Sequence, residues 1–247
     1  MSAADVVVGL EVAADSVGSA LAAQDGGAIR VELCGGLDGG GLTPSFGTLA
    51  VVRERLQIPL YVLIRPRVGD FVFDAAEVEV MRRDVEQCVR LGCDGVVLGA
   101  LDPQGQVDLP AMRALIEAAG TLGVTFHRAI DVSADPARVL EDAIALGCER
   151  VLTSGARASA LEGVETIAAL VRQAGERISI MPGAGVSAAN VQALRAGTGA
   201  REFHASARGP VAAQVHAPHP YITDLGGDYQ RTDVARVRSI VQLLQTA

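Results

Sequence analysis

Residues 30–46 read RVELCGGLDGGGLTPSF, a strand, a pliable loop and a helix start in one short stretch. Val31 and Leu33 alternate with Glu32 and Cys34, so strand geometry sends two apolar side chains to one face and a carboxylate and a thiol to the other. Five glycines fall among residues 35–41, a composition that lets backbone approach a ligand closely. Thr43-Pro44 reads as an N-cap followed by a first helical position, so a helix is expected to begin there.

The same unit recurs along the chain. Short apolar runs at 6–12, 59–65, 94–99, 123–128, 150–153, 177–181 and 202–206 join the one at Arg30 as expected strands. Helical patterns follow them at about 16–24, 45–56, 75–91, 110–120, from 136, 160–173, 187–195 and from 232. DGGAIRVEL, LGCDGVVLG, LGCERVLTS and TGAREFHAS each place glycine shortly before a strand, where it ends the preceding helix. Alternating strands and helices predict a parallel sheet. The expected fold is α/β: a single-domain (β/α)8 TIM barrel spanning 1–247, with an irregular loop at about 207–231. An open doubly wound sheet is the alternative, but no G-x-G-x-x-G follows the first strand.

Composition narrows the function. The chain has 247 residues, 49% hydrophobic, and a net charge of −8, which argues against nucleic acid or an anionic membrane as partner. No apolar run reaches the length of a membrane span. The first residues, MSAADVVVGLEVAADS, lack the basic region of a signal peptide. Four scattered cysteines make neither a disulfide framework nor a structural zinc site. A soluble cytoplasmic protein is expected.

Parity along the strands separates two faces. Leu10, Val12, Val31, Leu33, Val62, Ile64, Val124, Phe126, Phe203 and Ala205 share the apolar one, which must pack on helices. Glu11, Glu32, Cys34, Arg65, Arg67, Thr125, His127, Glu202, His204 and Ser206 share the other and are expected to point into the barrel. Barrel enzymes work at the C-terminal ends of their strands. Glu32, His127, Glu11 and His204 are therefore the candidate catalytic groups. Arg65, Arg67, Arg128, Asp131, Ser154, Gly183, Gly185 and Ser206 are the candidate anion-binding set, because the loops after strands seven and eight of this fold commonly bind phosphate through backbone N–H groups.

VELCGGLDGGGLTPSFG, IRPRVGDF, VTFHRAID, RVLTSG, MPGAGV and EFHASAR, in that order, resemble the CutC family, named for copper homeostasis. Val68 departs from the family's usual glycine, and 207–231 matches poorly. The resemblance implies a β/α barrel, a cytoplasmic homo-oligomer and an association with copper tolerance, with Cu(I) binding in some members. Cu(I) favours thiolate and thioether ligands. Cys34 is the candidate Cu(I) ligand, with His127 or His204 assisting; Met181 is a nearby thioether, and His216 and His219 are further metal candidates.

Two readings follow. In one, the protein handles copper through Cys34 and catalyses nothing. In the other, it is a barrel enzyme of lyase or isomerase type, acting by acid–base chemistry on a small phosphate- or carboxylate-bearing molecule. In that case Arg65, Arg67 and Arg128 orient the anion and Glu32 or His127 serves as base and acid. A third arrangement places a hard divalent ion among Glu11, Glu32, His127 and His204.

Overall fold

The computed structural model describes residues 8–215 and 227–246. Strands β1 (Gly9–Ala14), β2 (Arg30–Leu33), β3 (Leu60–Leu63), β4 (Gly95–Leu98), β5 (Gly123–Phe126), β6 (Arg150–Thr153), β7 (Ser179–Pro182) and β8 (Glu202–Ala205) alternate with α1 (Val17–Asp25), α2 (Phe46–Arg55), α3 (Ala75–Arg90), α4 (Leu109–Ala119), α5 (Pro136–Ala145), α6 (Val164–Ala174) and α7 (Val191–Thr198), and α8 (Val234–Gln245) closes the chain. All eight strands are parallel, in the order β7-β6-β5-β4-β3-β2-β1-β8. β8 also lies against β7, though no ladder joins those two among the described residues. The fold is a nearly closed (β/α)8 barrel.

Parity places the core as expected. Leu10, Val12, Val31, Leu33, Val62, Ile64, Val124, Phe126 and Phe203 join the buried apolar layer shared with the helices. Cys34, Tyr61, Leu63 and Val97 form a separate cluster. Tyr61 fills much of the lower interior: a Cβ on Gly95 would fall 2.1 Å from its ring, and one on Gly123 2.2 Å from its hydroxyl. Glycine is required at both positions for the barrel to close around this ring.

Three helix starts and one loop differ from the sequence reading. α2 starts at Phe46, with Ser45 accepting the Thr48 N–H as N-cap. Thr43 is instead tied to the end of β3, its N–H donating to the Arg65 carbonyl and its hydroxyl accepting the Arg65 N–H. α6 starts at Val164 rather than 160, because the backbone at Gly163 presses against Ser154; a Cβ there would sit 1.9 Å from the Ser154 oxygen. α7 starts at Val191, since Ser187 donates its N–H to the Asn190 side chain in a turn that precedes the helix. The stretch expected to be irregular contains an antiparallel pair, β9 (Arg208–Val211) with β10 (Tyr229–Thr232). His216 and His219 lie outside the described residues.

Candidate active site

A cavity of about 270 Å³ opens at the C-terminal ends of the strands, lined by Glu32, Arg65, Phe71, His127, Arg128, Gly185, His204, Ser206 and Arg208 among others. A larger hollow of about 520 Å³ lies at the opposite end, around Glu149, Arg177, Arg201 and Glu202. Among the described residues its buried carboxylate, Glu202, is already paired with Arg30 and Arg150, and at its rim Arg177 meets Glu141 and Arg201 meets Glu176. Among the described residues it therefore presents no buried charge in want of a ligand, whereas the C-terminal cavity does.

A charged floor closes the cavity from below. Arg30 and Arg150 stack over Tyr61 at 5.2 and 5.6 Å from its centroid. Arg30 bridges Glu11 and Glu202, and Arg150 reaches Glu202 at 2.7 Å. Buried charges persist only when paired in this way. Glu202 and Glu11 thus serve structure first.

Glu11 also belongs to the site. Its Oε1 lies 2.8 Å from His204 Nδ1, which in turn lies 3.5 Å from Glu32 Oε2. Burial alone would push the Glu11 carboxyl upward, but Arg30 and then His204 outweigh it and hold it down at about 2. Burial likewise disfavours imidazolium at His204, and Glu32 and Glu11 overcome it, so its basicity rises. Glu32 is different. Burial pushes it up to about 7, with Glu11 adding repulsion against the pull of His204, and its Oε2 is buried without a hydrogen-bond partner among the described residues. Two carboxylates of one site thus titrate far apart, the arrangement that separates a fixed anion from a proton carrier at neutral pH.

Opposite chemistry comes from β5 and the loop after β3. His127 Nδ1 accepts the Ala129 N–H at 3.3 Å, while its Nε2 is buried without a hydrogen-bond partner among the described residues. Burial, then Arg65, drives this ring's basicity down to about 3. Phe71 packs on it at 4.8 Å, and Gly99 leaves its room, since a Cβ there would meet Nδ1 at 2.6 Å. Arg65 donates to the carbonyls of Gly39, Gly41 and Gly69 and rests 5.0 Å over Phe71. Among the described residues it has no carboxylate partner, and its Nε has no acceptor. The glycine-rich loop of residues 35–41 therefore uses its carbonyls to clamp an arginine.

The remaining rim comes from the loops after β5 to β8. Asp131 accepts from the backbone of Ser154 and Ala156, from the hydroxyls of Thr153 and Ser154, and from Arg128 at 2.8 Å. It is an internal anchor rather than a ligand-binding group, and Ser154 is spent on it. Arg128 lines the cavity. Ala156, Ala184 and Ala207 adopt positive φ of 56°, 75° and 46°, so strained backbone collects on this rim, as it does at functional sites. Gly183 donates its N–H to Thr153, leaving the N–H groups of Ala184, Gly185 and Val186 without acceptors among the described residues.

Glu11, Asp131, Ser154 and Gly183 stand behind the cavity lining, and two further candidates, Arg67 and Cys34, lie apart from it. Arg67 pairs with Glu77 and Asp70 and stacks 5.2 Å over Phe73, bracing its own loop. Cys34 packs with Tyr61, Leu63 and Val97, its thiol 3.6 Å from the Ala14 carbonyl and its ionisation pushed upward chiefly by burial, then by Glu32. Phe71, Ala184, Val186 and Arg208 join the lining without having been singled out in the sequence. Arg208 continues the His204–Ser206 parity and was within reach of that rule; Phe71 carried no such signal. Among the described residues, the potential metal ligands that approach one another are Glu11, Glu32 and His204, all within 4.8 Å. That set suits a hard or borderline divalent ion rather than Cu(I).

The comparisons agree with this architecture. The CutC family model matches residues 8–209. A CutC family protein of Xanthomonas campestris pv. campestris strain 8004 is 99% identical over 240 residues, 97% of this chain and 100% of its own length. One from Bacteroides thetaiotaomicron is 43% identical over 244 residues, 96% of this chain and 98% of its own. The solved structure of the candidate copper homeostasis protein CutC of Streptococcus agalactiae superposes with a TM-score of 0.76 at 35% identity, covering 81% of this chain and 99% of that one. The chain belongs to the CutC family.

Proposed function

We propose that this chain is an acid–base enzyme acting on a small anionic molecule. One observation carries the reading: Glu32 Oε2 and Arg65 Nε, an acceptor and a cationic donor, are both buried without a hydrogen-bond partner among the described residues and belong to residues lining one cavity. A scaffold would pair such groups with each other or with neighbours, because leaving them unpaired costs about 1–3 kcal/mol each. A ligand that brings an anion for Arg65 and a transferable proton for Glu32 relieves both. Arg65 and the Ala184–Val186 backbone hold the anionic end, and Glu32, near neutrality in its proton affinity, is the base. His204, fixed by Glu11 and made more basic by Glu32 and Glu11 against its burial, lies beside Glu32 and can exchange a proton with it.

The test is thermal denaturation of the wild-type protein in phosphate, malonate and succinate. A melting temperature that rises with anion concentration, following ligand linkage, and does not rise in Arg65→Lys supports the site. A wild-type protein indifferent to every anion overturns it.

Copper handling is the second reading, brought by the family's name and by Cys34. In that case Cys34 supplies the soft ligand, yet its thiol faces the Ala14 carbonyl within an apolar cluster. The present donor arrangement does not fit Cu(I), and the ion would have to draw Cys34 out of that packing. Stoichiometric Cu(I) binding under reducing conditions that disappears in Cys34→Ser would favour copper over the acid–base reading.

A further inference from the structure

We infer that the cavity takes a small carbonyl compound bearing an anionic group, with His127 donating its Nε2–H to the carbonyl oxygen while Glu32 removes a proton from the adjacent carbon. This inference rests on the acid–base reading and names its substrate class.

The tautomer of His127 is decided by the chain itself. Nδ1 accepts the Ala129 N–H at 3.3 Å, so in the neutral ring the proton sits on Nε2. That N–H is buried and has no acceptor among the described residues, and its residue, 4% exposed, lines the cavity. Gly99 and Phe71 fix the ring on both sides. Arg65 discourages a second proton on it, in line with its depressed basicity.

The site therefore holds two different donors. Arg65 is cationic and suits a group that is anionic from the start. His127 is neutral and suits an oxygen that is neutral in the ground state and gains charge only as the reaction proceeds, where a preorganised donor accelerates the step most. A carbonyl oxygen next to an acidic C–H is such a group. In the step, the C–H bond breaks and its proton passes to the Glu32 carboxylate. Its electron pair forms a C=C bond, and the carbonyl π pair moves onto oxygen, where Nε2–H holds the enolate. Returning the proton to the same carbon completes an exchange or racemisation without a co-reactant; where that carbon bears a hydroxyl, passing the hydroxyl proton to the enolate oxygen and the carbon-bound proton to the former carbonyl carbon completes an isomerisation.

Two measurements test this on the whole protein. Nitrogen-15 NMR of imidazole-labelled wild type should show His127 as the neutral Nε2–H tautomer from pH 5 to 8; an imidazolium or an Nδ1–H tautomer overturns the inference. Calorimetry should find a planar enolate mimic, phosphoglycolohydroxamate or oxalate, binding at least about 100-fold tighter than its saturated counterpart, glycerol 3-phosphate or lactate. That preference should vanish in His127→Leu; if the variant does not fold, the wild-type spectrum and preference still decide. Equal binding of mimic and saturated anion removes His127's role and leaves the anion site standing. Binding of neither removes the acid–base reading and this inference together.

Discussion

His204 Nδ1 lies 2.8 Å from Oε1 of Glu11, its register partner on the neighbouring strand β1. Glu11, 0% exposed, also pairs with Arg30, so it joins the barrel's floor to the site. Glu11→Gln leaves Arg30 and His204 without their shared anion. We expect a loss of about 3–5 kcal/mol, read as a lower urea midpoint at pH 7. Because Glu11 titrates below the ordinary carboxylate range, its contribution is complete above that range and fades as pH falls toward about 2.

Glu32→Gln should do the reverse. The folded protein raises Glu32 to about 7, so it binds a proton that the unfolded chain has already released between the ordinary carboxylate range and pH 7. Stability from this group is full at low pH and is lost as pH rises through 7. At pH 8 the ionised, buried carboxylate, with only His204 at 3.5 Å among the described residues to offset its burial, costs on the order of 3 kcal/mol. The glutamine variant should therefore melt higher than wild type at pH 8, with the gap closing near pH 5. A variant that melts many degrees lower at pH 8 would make Glu32 part of the scaffold.

Arg65 reaches three carbonyls with one fork, those of Gly39, Gly41 and Gly69. A lysine ammonium cannot reproduce that geometry. Arg65→Lys should weaken phosphate binding by about tenfold or more, equivalent to at least ~1.4 kcal/mol, measured by calorimetry. Retention of full affinity would place the anion elsewhere.

All four cysteines are free and buried. Alkylation of native protein at pH 8 should leave them unlabelled over minutes in which guanidinium exposes all four. Fast native labelling of Cys34 would show an accessible thiolate and would strengthen the copper reading.

Gly95→Ala places a methyl 2.1 Å from the Tyr61 ring. Overpacking of this kind costs about 1–3 kcal/mol or more, and Tyr61→Phe should not rescue it because the clash is with ring carbons. A calorimetric melting temperature within a degree of wild type would contradict the packing described.

The alternation of Val31 and Leu33 with Glu32 and Cys34 was legible from the chain because a strand has a period of two and one face must be apolar to meet the helices. The same rule found Glu11, His127 and His204, and it separated the barrel from the helical layer. Parity says which face a side chain takes, and nothing about its height along the barrel or its neighbour around it. Those follow from the register of all eight strands, which brings Glu202 to Arg30 across 172 residues of chain and Glu11 beside His204 across 193. Cys34 shares Glu32's face, yet it falls among Tyr61, Leu63 and Val97 rather than in the cavity lining. Arg65 and Arg67 share a parity and both follow the end of β3, yet the loop turns only Arg67 to Glu77 and away from the cavity lining. The sequence determined the two faces through burial, a local and periodic demand. Only the closed barrel decided which inward groups pair and which stay unpaired, because pairing depends on distances between segments that meet only when the sheet curls round on itself.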